Sequence, residues 1–337
     1  MGDLIMTPID YVGLGFVSND HLAVLPFIPM DTKVKMLSHT ILGGGPAGNA
    51  TAGYAAVGTR LAGGKAPQAA FLGTVGDDAD GRMILDEFAR EGVLTDFIKV
   101  RKGATSAIAY LWIEEKTGNR SCAWTREGLD ELTAEEITDN PEIVKLIQNA
   151  KVLHLDGHNA AGAIAAAKIA RAAGVTVMYD AGTIRDGMLE LLPLADLLIC
   201  SGEFAVSVAA GKDKLITTSY TEEEVEAAIR RLYDRYHPKV CGATMGVKGS
   251  VVFDGEHLVK CPAFHVEKVV DTTGCGDLFH TGFAVRYCEL SPTGPEDLLE
   301  CARFGSAVSA LKCRGVSGRP PACPSREEVD AFLKAHA

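Results

Sequence analysis

The segment from Asp271 to Asp277 reads Asp-Thr-Thr-Gly-Cys-Gly-Asp and runs directly into an apolar-periodic stretch, Leu278 to Leu290. Gly274 and Gly276 permit a tight turn that points backbone N–H groups outward where a helix begins. The start of a helix carries partial positive charge, which suits a phosphate. Asp277 falls in the first helical turn, within reach of a hydroxyl group that attacks such a phosphate. The pattern indicates phosphoryl transfer with Asp277 as the general base.

Taken alone, the same residues are equally compatible with a tight turn followed by an acidic first-turn residue. A second glycine cluster favours the chemical interpretation. It reads Gly43-Gly44-Gly45-Pro46-Ala47-Gly48-Asn49 and opens another helix-like stretch, Ala50 to Leu61. Two such loops indicate two ligands.

These segments resemble the signatures of the ribokinase (PfkB) family of carbohydrate kinases. The D-T-x-G-x-G-D segment is similar to the C-terminal signature, and Gly-Gly followed by Asn49 is similar to the N-terminal one. Phe71 to Gly81 resembles the family's G-x-V-G-x-D-x-x-G block, with Gly92-Val93 after it. Thr244 to Ser250 resembles its nucleotide-side strand and turn. The four blocks occur in order along nearly the whole chain.

The resemblance implies an ATP-dependent kinase that transfers the γ-phosphoryl group to a hydroxyl of a sugar or sugar acid, with Mg²⁺ and possible activation by K⁺. A nucleoside kinase of the same fold is the alternative, and a binding protein that kept the fold without turnover is a third. The residues it implies are, for catalysis, Asp277, Gly274, Gly276 and Cys275 (through its backbone N–H); for the substrate, Asp20, Gly44, Gly45 and Asn49; for ATP, Thr244, Gly246, Gly249 and Thr272; for water-bound Mg²⁺, Glu203; and for a monovalent cation, Asp271.

The side-chain chemistry of Asp20 and Asn49 agrees with a polyol substrate. A carboxylate can accept hydrogen bonds from paired hydroxyl groups, and an amide offers both a donor and an acceptor. A solvated loop aspartate and a helix cap are the structural alternatives. Gly13-x-Gly15 after the first strand lacks the third glycine of a dinucleotide fingerprint, and an extended stretch follows it. An oxidoreductase is therefore disfavoured.

Three further positions leave alternatives open. Cys200 stands where the family often has the Asn of N-x-x-E, so the metal shell is in doubt and Ser201 is a candidate substitute. Arg185 could reach an anionic substrate, although a surface arginine is the more common case. His154, Asp156 and His158 could suggest a metal or a hydrolase site, but the chain has no Gly-x-Ser-x-Gly elbow.

Composition narrows the class of protein. The chain has 337 residues, a formal net charge of −11 and nine cysteines. The acidic balance argues against nucleic-acid partners. No C-x-x-C pair occurs, so zinc sites and disulfide frameworks are disfavoured, and Cys275 is expected at a helix start, where thiol pKa values fall. The sequence suggests no leader segment or membrane span, and a cytoplasmic protein is expected.

Apolar strand-like runs alternate with amphipathic helical stretches, which predicts an α/β fold: a doubly wound, mainly parallel sheet with helices on both faces. We expect one kinase domain, 1–337. By resemblance, about 18–42 and 104–125 form a small β lid that could also make a homodimer. Predicted strands are Ile9 to Val17, Ala69 to Thr74, Val152 to Leu155, Val175 to Tyr179, Leu197 to Cys200 and Val240 to Thr244. Predicted helices are Gly81 to Arg90, Glu135 to Asn149, Ala160 to Ala173, Gly202 to Ala210, Thr221 to Tyr236, Pro295 to Gly315 and Arg326 to Lys334.

Overall fold

The computed structural model describes residues 9–58, 69–215 and 219–336. Its strands, numbered in chain order, are β1 (Tyr11–Leu14), β2 (Ser18–Leu25), β3 (Ser38–Gly44), β4 (Ala69–Gly76), β5 (Val93–Leu94), β6 (Ile98–Arg101), β7 (Ile108–Glu114), β8 (Arg120–Thr125), β9 (Val152–Leu155), β10 (Thr176–Ala181), β11 (Leu197–Ser201), β12 (Val240–Thr244), β13 (Ser250–Phe253) and β14 (Leu258–Cys261).

The α-helices within the same ranges are α1 (Pro46–Val57), α2 (Ala79–Arg90), α3 (Ala134–Thr138), α4 (Pro141–Asn149), α5 (Ala160–Ala172), α6 (Gly202–Ala209), α7 (Glu222–Tyr236), α8 (Cys275–Leu290), α9 (Pro295–Lys312) and α10 (Arg326–Ala335). Two short 3₁₀ segments cover Met188–Leu194 and Gly246–Lys248. No helix in the described ranges is long and apolar enough to cross a membrane.

The larger sheet has ten strands within the described residues, in the order β14-β13-β12-β11-β10-β9-β1-β4-β5, and β6 also pairs with β4. Pairing is parallel from β12 across to β5, and β13 and β14 extend one edge in antiparallel fashion. One apolar cluster packs α3 to α7 on one face, and a second packs α1, α2 and α8 to α10 on the other. This confirms the predicted doubly wound α/β architecture with helices on both faces.

A separate sheet carries four strands in the described chain, in the order β3-β2-β7-β8. The predicted hairpin is present, since Ile108 pairs with Thr125 and Ile113 with Arg120 in antiparallel register. The strand β2 pairs with β7 in parallel and brings Asp20 beside Ala109. This small sheet is the predicted lid, and Asp20 belongs to it.

Three element predictions differ from the structure. The predicted helix from Glu135 to Asn149 is two helices, because Pro141 cannot continue a helix and Asn140 caps a new one through its side chain. The helix expected over Ala50 to Leu61 already begins at Pro46, and its last predicted residues lie outside the described residues. The strands β13 and β14, which extend the edge of the sheet in antiparallel fashion, were not predicted.

Candidate active site

A cavity of about 430 Å³ lies between the lid and the carboxyl ends of the parallel strands, where ligands bind in open α/β sheets. We call it the acceptor cavity. Lid residues, loop ends and helix starts all contribute to its wall. The contributors with polar side chains include Ser18, Asp20, Asn49, Arg120, His158, Asp180, Arg185, Ser201, Thr244, Thr272, Thr273, Asp277 and His280.

Asp277 and Asn49 meet in this cavity. The Asn49 Nδ2 atom donates to Asp277 Oδ2 at 2.7 Å, and helix α1 packs against α8 around this contact. Burial raises the pKa of Asp277, while the Asn49 hydrogen bond and the charges of His280 and Arg120 oppose that rise. A carboxylate with a raised pKa and a face open to a cavity is suited to accept a proton from a hydroxyl group.

The turn before α8 has the geometry of an anion site. Gly274 has φ 79° and stands at the N-cap with no side chain to cap the helix. The Cys275 N–H donates weakly to Thr272 O at 3.3 Å, whereas Gly276 and Asp277 hold first-turn positions whose N–H groups have no intrahelical acceptor. A Cβ on Gly276 would meet nothing within 4 Å. Open space faces this helix start, as a phosphate requires.

The thiol of Cys275 departs from the sequence expectation. Its Sγ atom lies 3.2 Å from Cys313 Sγ. Sharing a hydrogen bond with that second thiol, together with burial, raises the pKa of Cys275. The predicted fall in its pKa is therefore wrong, because the neighbouring sulfur outweighs the helix start.

Asp20 reaches the acceptor cavity from β2. The Ser18 hydroxyl donates to its Oδ1 atom at 2.7 Å. Burial raises the pKa of Asp20 to about 6, against the opposing effects of Ser18 and the buried Arg319 guanidinium. A Cβ on Gly44 would stand 2.1 Å from this carboxylate. Glycine at that position therefore leaves room for the Asp20 side chain.

Gly45 and Asn49 also line the acceptor cavity. Gly45 has φ 85°, and a Cβ there would lie 2.5 Å from Phe16 O. The buried Asn49 Oδ1 atom has no hydrogen-bond partner within the described part of the chain. A buried acceptor without a partner costs free energy.

Aromatic rings and an arginine form one wall of the acceptor cavity. Phe16 stacks on His158 with ring centroids 4.7 Å apart and contacts Trp124 edge-on at 5.3 Å. Arg185 Nη1 lies 2.7 Å from His158 Nε2, and its guanidinium lies over the Trp124 ring at 5.5 Å. Arg185 is thus a cavity residue as well as a solvent-exposed one.

His280 follows Asp277 by one helical turn. It supports the turn before α8, which we call the anion loop. Its Nδ1 atom lies 2.7 Å from Gly276 O and 3.2 Å from Asp180 Oδ2, and its Nε2 atom lies 3.2 Å from Ile199 O. These contacts join the first turn of α8 to the ends of β10 and β11. Sequence reasoning missed His280, although its i+3 spacing from Asp277 places both on one helix face.

A second cavity, of about 450 Å³, adjoins the first, and we call it the nucleotide cavity. Thr244, Thr272 and Gly276 line both cavities. Gly246 and Gly249 line the second one only, together with apolar side chains such as Phe264 and Phe279. The anion loop therefore lies at the boundary between the two cavities.

The two residues expected near metal ions lie outside the acceptor cavity. Glu203 lines a third cavity with Tyr220, Val247 and Lys248, and Val247 also lines the nucleotide cavity. The Cys200 thiol is buried and donates to Gly242 O, while the hydroxyl of Ser201 caps α6 by accepting from Phe204 N. Asp271 is buried and accepts from the Thr273 N–H and hydroxyl and from the Ser317 N–H.

The side chains of His154, Asp156 and His158, at the end of β9, do not act as one cluster. His154 is fully buried and packs edge-on against His280. Asp156 accepts three backbone N–H bonds, from Phe16, Ala47 and His158. In the described ranges no group of three or more His, Cys, Asp or Glu side chains could hold a metal.

The two cavities meet at a helix start that carries a carboxylate, an arrangement suited to phosphoryl transfer. A model of the pfkB family carbohydrate kinases matches residues 17–325. The chain is 30% identical over 314 residues to "Probable fructokinase-6, chloroplastic" of Arabidopsis thaliana, which covers 87% of this chain and 75% of that protein. It is 28% identical over 306 residues to an ATP-dependent ribose-1-phosphate kinase of Halopiger xanaduensis, which covers 90% of each.

The fold comparison agrees. The structure matches that of Arabidopsis thaliana ribokinase complexed with ribose and ATP with a TM-score of 0.76, 25% identity and coverage of 98% of this chain and 99% of that one. The chain belongs to the pfkB family of carbohydrate kinases. It is a phosphotransferase of the class whose acceptor is an alcohol group.

Proposed function

We propose that this protein transfers the γ-phosphoryl group of ATP to a hydroxyl of a sugar or sugar acid. The observation that carries the proposal is the position of Asp277, which lines the acceptor cavity directly after Gly276, a residue that lines both cavities. A hydroxyl held in the first cavity and a phosphate held at the helix start would both be next to one carboxylate. Such placement is most of what phosphoryl transfer requires of a protein.

In the proposed reaction, Asp20 and Asn49 hold acceptor hydroxyl groups. Asp20 offers carboxylate oxygens and Asn49 its side-chain amide. Asp277 takes the proton of the attacking hydroxyl, and the N–H groups of Gly276 and Asp277 stabilise charge on the transferred phosphoryl group. Thr244, Gly246, Gly249 and Thr272 border the space for the nucleotide. Arg120, whose Nη1 donates to Thr272 Oγ1 at 2.9 Å, would place a positive charge near the phosphates.

Mg²⁺ would neutralise the negative charge of the phosphate groups. Asp277 and Asp180 supply carboxylates to the wall of the acceptor cavity. Glu203 lines a separate cavity that shares Val247 with the nucleotide cavity, and by resemblance it would contact the ion through water. Because Mg²⁺ keeps several waters and is bound largely by substrate phosphates, this sparse carboxylate set is compatible with it.

The presence of Arg185 in the cavity wall favours an acceptor that carries negative charge. Arg185 lines the acceptor cavity, and its planar guanidinium can bind a carboxylate or a phosphate through two parallel hydrogen bonds. A sugar acid or a sugar phosphate would use this group, whereas a neutral sugar would not. We therefore place sugar acids and sugar phosphates beside neutral sugars as candidate acceptors.

A nucleoside is the second candidate class, and one observation favours it. Phe16, Trp124 and His158 bring three rings to the wall of the acceptor cavity. A purine or pyrimidine base can stack on such rings. The cavity therefore has a surface for a base as well as groups for a ribose.

An acceptor panel tests the proposal. ADP release would be measured with ketoses, aldoses, sugar acids, sugar phosphates and nucleosides, each with wild type and Arg185→Gln. We expect a sugar-type acceptor to be phosphorylated. If that acceptor carries a negative charge, Arg185→Gln should raise the KM for the acceptor and leave the KM for ATP unchanged. Release of ADP with nucleosides alone would favour the second candidate. If none of the acceptors in the panel caused release of ADP, the proposal would be contradicted.

We also propose that the protein forms a homodimer through the lid. Its exposed side chains include the large apolar residues Met30, Met36, Leu37 and Tyr110. Exposed apolar side chains in the β2–β3 connection and on β7 suit contact with a second copy. A homodimer through the lid would give twice the monomer mass in light scattering, and Leu37→Asp should then shift it toward the monomer.

A further inference from the structure

Lys312 is a lysine with no solvent exposure, near the end of α9. Its Nζ atom donates to Asp271 O at 2.5 Å and to Gly315 O at 3.3 Å, and it lies 3.6 Å from Asp271 Oδ2. Lysine is almost never fully buried unless it is paired, because burying a charge is costly. The ammonium group is thus held by two carbonyl oxygens and one carboxylate oxygen.

These oxygens belong to the support of the anion loop. Asp271 is the first residue of the segment that ends in Asp277, and its carboxylate also accepts from Thr273 and Ser317. Ser317 leads into Gly318, whose Cα would lie 2.5 Å from a Cβ on Gly274. The Lys312 ammonium therefore ties together the two backbone segments that fix the turn before α8.

A set of carbonyl and carboxylate oxygens around one positive charge is also how proteins hold hard cations. The sequence resemblance implied a monovalent cation at Asp271. The residues do not fit such an ion, because a cation bound to the same three oxygens would overlap Lys312 Nζ. Two positive charges in one buried pocket would also repel each other.

We propose that Lys312 is a built-in cation that replaces a monovalent metal ion beneath the anion loop, so that this kinase works without K⁺. The inference rests on the proposed function, because it concerns the same loop. Lys312 acts through Asp271 and the loop backbone, and it is therefore a positioning residue rather than a catalytic one. An ordinary structural ion pair would share the burial but would show no relation to alkali ions.

The first experiment uses the wild-type protein. Its phosphorylation rate would be measured in a buffer whose only monovalent cation is a bulky organic ammonium, and again after addition of KCl, NH₄Cl or NaCl. We expect rates that agree within about twofold, since the Lys312 ammonium already fills the site. Stimulation by K⁺ of tenfold or so, the scale of losing an orienting contact at a charged site, would overturn the proposal.

The second experiment uses two matched variants. Lys312→Ala leaves space for an ion beside Asp271, whereas Lys312→Met removes the charge but keeps the side-chain volume. We expect both to raise the KM for ATP and lower kcat by about tenfold in the organic buffer. K⁺ or NH₄⁺ should restore much of the activity of Lys312→Ala and none of that of Lys312→Met. Equal behaviour of the two variants toward K⁺ would contradict the proposal.

A thermal-stability measurement separates this inference from the proposed function. K⁺ should raise the Tm of Lys312→Ala relative to the organic cation and leave the Tm of wild type unchanged. This measurement needs no acceptor, so it remains informative even if no sugar is phosphorylated. Should Lys312→Ala fail to fold, the wild-type series decides: flat Tm and flat rates support the built-in cation, and a response to K⁺ overturns it.

Discussion

The Asn49 amide donates to the Asp277 carboxylate at 2.7 Å across 228 positions of sequence. The contact joins the first helix after the upstream glycine cluster to the helix after the downstream one. The two signature segments therefore meet at one site, which has the acceptor cavity on one side and the anion loop on the other. The Oδ1 atom of the same amide is buried and has no hydrogen-bond partner in the described chain.

We predict that Asn49→Ala shifts the acid limb of the pH profile to higher pH. The Asn49 hydrogen bond lowers the pKa of Asp277 against the rise caused by burial, so its loss lets that pKa rise further. The base must be ionised, and the fall of kcat/KM on acidification should begin at higher pH. Asn140→Ala, which removes only the cap of α4, is the control. An unmoved acid limb in Asn49→Ala would exclude this coupling.

Asp20→Asn should stabilise the ligand-free protein at neutral pH while weakening acceptor binding. Burial raises the folded-state pKa of Asp20 from 3.8 to about 6. The folded state therefore binds more protons than the unfolded one between these values, and stability falls as pH rises through that window. The cost is complete above pH 6 and amounts to roughly 3 kcal/mol for a shift of this size. The neutral amide avoids it.

Denaturant unfolding at several pH values measures this effect, with the exposed Asp130→Asn as control. The stabilisation by Asp20→Asn should vanish below about pH 4, where the carboxyl group is neutral in both states. At neutral pH the same variant should raise the acceptor KM with little change for ATP. A variant that is less stable than wild type at pH 8 would show that the Asp20 charge is better compensated than its burial suggests.

Gly276→Val should weaken nucleotide binding without unfolding the protein. A Cβ at this position meets nothing within 4 Å, so the folded chain accepts the side chain, but the branched group enters the space proposed for the triphosphate. We expect a higher KM for ATP, a lower kcat and an unchanged Tm without ligand. Gly294→Val is the matched control, because Gly294 has an extended backbone remote from both cavities. Normal nucleotide kinetics in Gly276→Val would remove the anion-loop assignment.

The parts of this site that sequence could predict are those where the backbone dictates the residue type. Gly274 needs a positive φ, and Gly44 must leave room for Asp20, so both appear as glycines in recognisable spacing. The fold class could also be predicted, because the apolar periodicity of the sequence distinguishes strands from helices.

The other parts depend on tertiary packing, and no local pattern encodes them. Lys312 reads as a basic residue in the last turn of a helix, which is ordinary on a surface, yet it is fully buried. Cys275 reads as a thiol at a helix start, but Cys313 from α9 reverses the expected pKa shift. Trp124 lines the cavity because the lid lies over the strand ends, and there its ring contacts the Arg185 guanidinium.

The assignment of Asp277 as the base is tested most directly by Asp277→Asn. Turnover on the best acceptor and the dissociation constant for ATP would be measured together, with Asp297→Asn on α9 as a surface control. The account predicts a loss in kcat of roughly a hundredfold or more, the usual contribution of a general base, with ATP binding retained. Near wild-type turnover in a folded Asp277→Asn protein would contradict it.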